Sequence, residues 1–427
     1  MSKQKNYKIM SIKFRLTILN FLELFVFGAW LISLGGYLGG TLHFEGFQIG
    51  KVFTTLGLAS LIMPAVVGII ADKYLNAQKV LGILHIIGAG FLIYLAQTQD
   101  YDTFFWLMLG YLTMYMPTLG LANAVSYSIL EDNNYDVVKV FPSIRVWGTV
   151  GFIIAEVAVG VFGWASNNTQ FYFAAVISLI MGVYSFTLPN VPLSTSKNQS
   201  LAERLGLDAF ALLKEYKMAV FFVFATLLGV VLQISNAWAS EFMRSFGANF
   251  PDSFVVEYSN VFIALSQGSE VLFILTIPFF LKRFGIKTVM ILSMIAWFLR
   301  FGLFGIGSPE GIGLGYLVMS MVVYGAAFDF FNISGSLFIE TETDSKYRSS
   351  AQGLFILLTN GVGAVLGGLG SGYIVDLFSV YEGGNLISRD WYSIWGVFAL
   401  YAIALAVLFA LVFKYKHDPE SIKEVSH

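Results

Sequence analysis

Gly68-Ile-Ile-Ala-Asp-Lys-Tyr-Leu-Asn-Ala-Gln-Lys79 is a short charged turn set between long apolar runs. A degraded counterpart, Pro278-Phe-Phe-Leu-Lys-Arg-Phe-Gly-Ile-Lys287, lies about half a chain further on. Self-similarity at that distance is the mark of a duplicated unit. The turn closes the second apolar run of its half in both places, so the chain reads as two related sets of spans.

The rest of the sequence agrees. Of 427 residues, 57% are hydrophobic and only 12% are charged, too little polar surface to cover a soluble globule of this size. The apolar residues fall into blocks of about twenty, the length that crosses a ~30 Å hydrocarbon core. Reading these blocks between polar breaks predicts spans at 14–40, 48–72, 79–98, 103–130, 142–165, 170–190, 217–243, 254–281, 286–307, 312–340, 348–378 and 391–414. The fold class is therefore an all-α polytopic membrane protein of twelve transmembrane helices.

Asn190 to Lys217 is the largest polar interruption. It divides the chain into an N-terminal six-helix bundle (1–190), a central loop (191–216) and a C-terminal six-helix bundle with a short tail (217–427). The loop holds a Ser/Thr/Asn run, 194–200, and an amphipathic stretch, 201–213, suited to the membrane interface. At the start, Lys3, Lys5, Lys8, Lys13 and Arg15 run into an apolar segment that contains Glu23 and lacks a small-residue cleavage site, so the first span is expected to stay in place.

Lys and Arg set the orientation. With the N-terminus cytoplasmic, that side collects the five early basic residues, Lys73, Lys79, Lys139, Lys197, Arg204, Lys214, Lys217, Lys282, Arg283, Lys287, Lys346, Arg348 and the C-terminal lysines. Only Lys51, Arg244 and Arg389 fall outside, which leaves Arg145 and Arg300 within the membrane. Both termini are expected in the cytoplasm. The Asn167-Asn-Thr169 sequon falls on the opposite face and carries no weight as a glycosylation site.

Cysteine is absent, which removes disulfides, thiolate metal sites and cysteine nucleophiles, and a net charge of −2 gives no footprint for nucleic acid. No Walker A sequence, metal-ligand cluster or nucleophile with its base is present. The expectation is a carrier, not an enzyme, with no cofactor or metal and an ion gradient as its energy source.

Gly68–Lys79 resembles the G-x-x-x-D-[RK] loop signature of the major facilitator superfamily, which sits between spans two and three and recurs weakly between spans eight and nine. That likeness implies gating roles for Asp72 and Lys73, an acid at a helix end pairing with helix termini and basic residues in one state and releasing them in the other. More closely, Tyr115-Met-Pro-Thr-Leu-Gly-Leu-Ala-Asn123, Phe141-Pro-Ser-Ile-Arg-Val-Trp-Gly-Thr-Val-Gly-Phe152, Tyr324-Gly-Ala-Ala-Phe-Asp-Phe-Phe-Asn-Ile-Ser-Gly335 and Ser350-Ala-Gln-Gly353 are similar to the nucleoside:proton symporter family. The resemblance implies a substrate site of Arg145, Thr149, Phe152, Gln233, Asn236, Gln267, Glu270, Tyr324 and Phe328. It also implies nucleosides such as uridine or adenosine as cargo, protons as coupling ion, and a monomer in a bacterial inner membrane surrounded by lipid.

The residues themselves carry part of this reading. Ionisable and amide groups inside spanning helices cost several kcal/mol unless paired or facing a wet cavity. Arg145, Thr149 and Phe152 fall at i, i+4 and i+7, one stripe offering a guanidinium, a hydroxyl and a ring. Such a stripe suits a heterocycle with carbonyl acceptors; the bland alternative is an arginine snorkelling to the headgroups, a back-bonded Thr149 and a lipid-facing Phe152. Gln233 with Asn236, and Gln267 with Glu270, are i, i+3 pairs able to meet vicinal hydroxyls, or equally to bond helix to helix. Tyr324 and Phe328, at i and i+4, can stack a base or fill a core.

Asp329 lies about 100° round the helix from Phe328, so if the two aromatics face substrate it faces a neighbouring helix instead. That makes Asp329 a candidate for coupling and Glu270 the candidate for sensing both proton and substrate. Asn20, Glu23, Phe27 and Trp30 form another stripe, either lining the opposite wall of a cavity or packing around one paired acid. His85 could carry a proton, although a lone histidine in an apolar helix is more often structural. Glu156 has no evident role. Gly363 with Gly367, and Gly368 with Gly372, follow small-xxx-small spacing and predict close helix approach around span eleven.

One proton crossing ~150 mV supplies ~3.5 kcal/mol, enough for roughly 300-fold accumulation of a neutral solute, so one coupling acid suffices. A proton-linked sugar or oligosaccharide permease would use similar groups, and a channel or nontransporting nutrient sensor could share the span count.

Overall fold

A computed structural model describes residues 2–193, 207–344, 347–383 and 385–415. The Ser/Thr/Asn run 194–200, the first part (201–206) of the amphipathic stretch, and Lys197, Arg204, Lys346, Lys416 and Lys423 lie outside the described residues.

The first half comprises α1 (Ser2–Gly28), α2 (Leu31–Gly40), α3 (Gly46–Lys73), α4 (Ala77–Leu95), α5 (Tyr101–Asp132), α6 (Val137–Val161) and α7 (Thr169–Ser185). After a 3₁₀ segment, Leu207–Lys214, come α8 (Tyr216–Ser245), the single turn α9 (Phe254–Glu257), α10 (Ser259–Ile306), α11 (Gly311–Glu342), α12 (Arg348–Ile356), α13 (Ala364–Leu377) and α14 (Trp391–Val412). A hairpin of β1 (Ser379–Glu382) and β2 (Asn385–Arg389), which the sequence reading did not anticipate, joins α13 to α14.

Ten helices among the described residues are long and apolar enough to cross a membrane, and α7 is a shorter apolar one. The count differs from twelve because α10 runs on for 48 residues where two spans with a loop between them were expected. At 1.5 Å per residue it is about 72 Å long, more than twice the hydrocarbon thickness. Gly285, at φ 78° and ψ 166°, divides it. A residue without a Cβ takes this conformation at no steric cost, so the helix is broken into two parts there without a loop. Counted as two at that break, and with α7, the described residues carry twelve apolar segments.

Two further spans depart from simple helices. The first is interrupted at Ala29 and Trp30 between α1 and α2. The eleventh contains a π-helical segment, Leu357–Gly363, between α12 and α13.

Helix starts are set locally. Asp100 caps α5 through the Thr103 N–H at 2.9 Å, and Asp136 caps α6 through the Lys139 N–H at 3.2 Å. Glu45 and Gln48 form a capping box at α3, and Asp390 caps α14 through the Ser393 N–H at 3.1 Å.

Alternation of spans puts both termini at one end of the bundle, here the terminal end. The connections 41–45, 162–168, 246–258 and 378–390 lie at the other, the far end. Within the first half α1 packs on α6 and α7, and α4 on α5 and α7; within the second, α10 packs on α11 and α14. Three seams join the halves: α2 with α8, α3 with α13, and α6 with α10.

Glycines make these seams close. A Cβ on Gly35 would collide with the Ala237 carbonyl of α8, and one on Gly50 with the Gly368 carbonyl of α13. One on Gly372 would come within 2.7 Å of the Gly46 carbonyl, and one on Gly57 within 2.5 Å of that of Gly361. The expected close packing of span eleven is thus shared between neighbours. Gly368 and Gly372 meet α3, whereas Gly363 and Gly367 meet Gly229 and Val230 of α8.

Polar contacts reinforce the far end. Asp376, at the end of α13, accepts the N–H groups of Gly46 and Phe47 at 2.7 Å each and the Tyr381 hydroxyl at 2.6 Å. Glu241 of α8 pairs with Arg389 of the hairpin, beside the Trp238 and Trp391 rings. Burial pushes the Arg389 guanidinium down to about 10, so it stays charged at neutral pH.

Candidate functional site

The α6–α10 seam carries the polar stripes. Arg145, Thr149 and Phe152 follow one face of α6, which runs from the terminal end toward the far end. Antiparallel to it, the first part of α10 presents Asn260, Gln267 and Glu270. Gly160 fixes the register, since a Cβ there would lie 3.1 Å from the Asn260 Cβ. Arg145 and Glu270 lie within electrostatic reach of each other.

Where the halves meet, a small cavity is lined by Ile32 of α2, Ser235 and Asn236 of α8, Gln267 and Arg300 of α10, and Tyr324 of α11. Of the residues expected in a substrate site, the structure brings Asn236, Gln267 and Tyr324 round this one space. The Gln267 Oε1 is buried and has no hydrogen-bond partner, an acceptor left open at the wall.

Other expected residues stand elsewhere. Phe152 leans on Phe27 of α1, ring centres 6.0 Å apart. The Gln233 side chain is buried with its Cβ against Gly367 of α13 and its Nε2 unpartnered. Phe328 lies parallel to Tyr324 at 5.9 Å but lines a second small cavity, with Trp297, Asn332, Thr359 and Asn360. Asp329 is buried with Oδ2 unpartnered, and its charge reaches Glu270. Tyr324 is the common neighbour, within electrostatic reach of Glu270, Asp329, Arg300 and Glu156. Asp72 is half-buried in the last turn of α3, and Lys73 beside it is exposed.

Arg300 acquires a definite place. Only 1% exposed, it donates through Nε to the Ser235 hydroxyl at 3.1 Å and through Nη1 to the Ser266 hydroxyl at 3.2 Å and the Ser320 carbonyl at 3.0 Å. Its guanidinium lies 4.4 Å from the Tyr324 ring centre. Neutral acceptors and a ring face hold this cation in place of a carboxylate, and in doing so they fix the Tyr324 ring. The three serines carry no pattern that a single helix would reveal, because each comes from a different part of the bundle.

Glu23 does not stand on an open cavity wall. Its carboxylate meets the His85 Nε2 at 3.0 Å and accepts the Thr118 hydroxyl at 2.6 Å, while the His85 Nδ1 lies 3.1 Å from the Ser178 hydroxyl. Asn20, on the same stripe, donates to the Ser126 hydroxyl at 3.2 Å. This is packing around one paired acid. The histidine looked alone because its partner lies 62 residues away.

Comparison with known proteins identifies the architecture and its kin. Xanthosine permease of Escherichia coli (strain K12) is 52% identical over 97% of this chain and 99% of its own length. Nucleoside permease NupG of the same organism is 47% identical over 98% of this chain and 100% of its own. The crystal structure of nucleoside transporter NupG superposes with a TM-score of 0.88, covering 95% of this chain and all of that one at 46% identity. Residues 10–418, nearly the whole chain, match the family described as Nucleoside H+ symporter. This polytopic chain, with polar stripes facing each other across the seam between its halves, belongs to the nucleoside:proton symporter family.

Proposed function

We propose that the chain imports purine and/or pyrimidine nucleosides with protons across a bacterial inner membrane, as a monomer, by alternating access. The carrying observation is the cavity between the halves that gathers Asn236, Gln267 and Tyr324, with Arg145 and Glu270 on the flanking stripes. Amide donors and acceptors suit ribose hydroxyls and base carbonyls, and the aromatic face suits a nucleobase. Thr149, Phe152, Gln233 and Phe328 complete the set when the halves rock, and Glu270 and Asp329 exchange the proton.

The halves, 1–190 and 217–427, move as the two rocking bodies about the central loop 191–216. Their close glycine seams run from the far end to mid-depth, so this conformation opens toward the termini. A cytoplasmic location for the termini is supported by how the far-end cations are spent. Lys51 lies over the Phe47 ring, Arg244 donates to the Ala165 carbonyl and Arg389 pairs with Glu241. Asp72 and Lys73, at the terminal end of α3, act as the gate in the opposite state.

Uptake of labelled uridine into cells, with uridine, adenosine, xanthosine and free ribose as competitors and a protonophore, tests this reading. Accumulation that nucleosides but not ribose compete for, and that collapses with the gradient, is expected. Uphill uptake insensitive to the protonophore would sink the proton coupling, and competition by ribose alone would sink the cargo.

A further inference from the structure

Glu156 continues the α6 stripe beyond Phe152, one turn before Gly160. It is fully buried, and neither carboxylate oxygen has a hydrogen-bond partner. Asn260, which Gly160 admits to close contact, is likewise fully buried with both its Oδ1 and its Nδ2 unpartnered. The antiparallel register sets Glu156 opposite α10 about one turn inward from Asn260. Four orphaned polar atoms therefore sit in the closed α6–α10 seam, on the far-end side of the cavity.

We infer that Glu156 is a proton-binding site of the far-end seam, separate from Glu270 and Asp329. It takes up a proton as α6 closes on α10 and returns it to the far-side water when they part. An isolated carboxylate in a dry seam costs far more than its neutral acid, so the closed seam holds the protonated form. Once the helices separate, water solvates carboxylate and amide, and the proton leaves to the compartment from which it came.

No neighbouring charge replaces this function. The titratable groups in the spans packed against α6 include Glu23 on α1, committed to His85, Tyr111 and Tyr115 on α5, and Glu270 and Arg300 on α10, the last held by Ser235, Ser266 and Ser320. Arg145 lies on α6 itself, three turns away, and Tyr324 of α11 senses Glu156 only electrostatically. None is a hydrogen-bond partner of Glu156. Because its proton does not cross the membrane, Glu156 sets how far-side pH biases the conformational equilibrium and leaves the transport stoichiometry unchanged.

The chain has no cysteine, so a spin-label pair can be placed at the exposed far-end residues Phe162 and Phe254 of the full-length protein without further change. Electron–electron distance distributions would be recorded without nucleoside from about pH 5 to about pH 9, the range over which carboxyls in proteins titrate. In the otherwise wild-type protein the short-distance population should fall as pH rises, by up to about tenfold per pH unit in the closed-to-open ratio, one proton's worth. Glu156→Gln, a neutral isostere of the acid, should stay closed throughout, whereas Glu270→Gln should keep the response. A pH-independent distance before any substitution at Glu156, or an unaltered titration in Glu156→Gln, overturns the proposal. The wild-type measurement stands even where a variant fails to fold. Since no nucleoside is present, the outcome is independent of the cargo assigned above.

Discussion

Asp376 caps a helix that begins at Gly46, 330 residues away in the chain and in the other half of the molecule. Both carboxylate oxygens are used, one on the Gly46 N–H and one on that of Phe47, and the Tyr381 hydroxyl holds the carboxylate in place. A negative charge on an N-terminus complements the helix dipole, and charge-assisted hydrogen bonds contribute about 1.5–3 kcal/mol each. This contact exists only while the α3–α13 seam is closed. Asp376→Asn should therefore move the equilibrium toward far-end opening by about tenfold or more. Cross-linking of cysteines introduced across the seam would slow accordingly, and an unchanged rate would show that the cap is ornamental.

Glu270→Gln removes an ionisable group within electrostatic reach of Arg145 while preserving shape. Uphill accumulation should be lost, whereas counterflow of labelled against unlabelled nucleoside, which needs no net proton movement, should survive. Loss of counterflow as well would assign Glu270 to cargo binding alone.

Truncating the cavity walls should read out in KM. Asn236→Ala and Gln267→Ala each remove neutral hydrogen bonds of about 0.5–1.5 kcal/mol, a change of about two- to twelvefold. Tyr324→Ala removes stacking of about 1–3 kcal/mol, some five- to 150-fold. Gln233→Ala, whose side chain packs behind the cavity against α13, should instead lower thermal stability in this conformation. KM values unmoved in the first three variants would relocate the site.

His85→Ala leaves the Glu23 carboxylate buried without its main partner. Breaking one side of a buried pair costs about 3–5 kcal/mol. Folded yield and melting temperature in detergent should drop sharply, with little change in KM for the protein that remains. A large KM change at normal stability would place this pair in the transport path.

At the start of α14, the hydroxyl and N–H of Ser393 hold the Asp390 carboxyl below the ordinary carboxylate range. A lowered folded-state value means the contribution is complete above the unfolded value near about 4 and is lost as pH falls through the folded one. Asp390→Ala should therefore melt below wild type at neutral pH, with the gap closing in strong acid. A gap independent of pH would point to packing instead of the cap.

What was legible in the sequence is what a single helix encodes. The apolar blocks gave the spans, and the i, i+4, i+7 stripe of Arg145, Thr149 and Phe152 needed only the pitch of α6. The small-xxx-small glycines announced close approach, though not that two different neighbours would share it. Partners across the bundle were not legible. Nothing local couples His85 to Glu23, Arg300 to Ser235 and Ser320, or Asp376 to Gly46, because each pairing is set by which helices the topology brings together. The run through Gly285 was missed for a related reason, since charged Lys282 and Arg283 look like a loop until one glycine is allowed a positive φ.

The π-helical segment Leu357–Gly363 sets the phase of the glycine faces that follow it. A π turn takes up one residue more than an α turn, which rotates everything after it by about 100° relative to an unbroken helix. Gly367 and Gly368 are neighbours about 100° apart, so Gly363 and Gly367 rest against α8 while Gly368 and Gly372 rest against α3 of the opposite half, and the π turn sets the rotation of both faces together. Deleting a single residue there, such as Val362, would leave the span long enough to cross the membrane but swing its glycine faces off both α8 and α3. The extra residue thus works as a phase shifter between the half that holds α13 and the half that must leave it in each cycle.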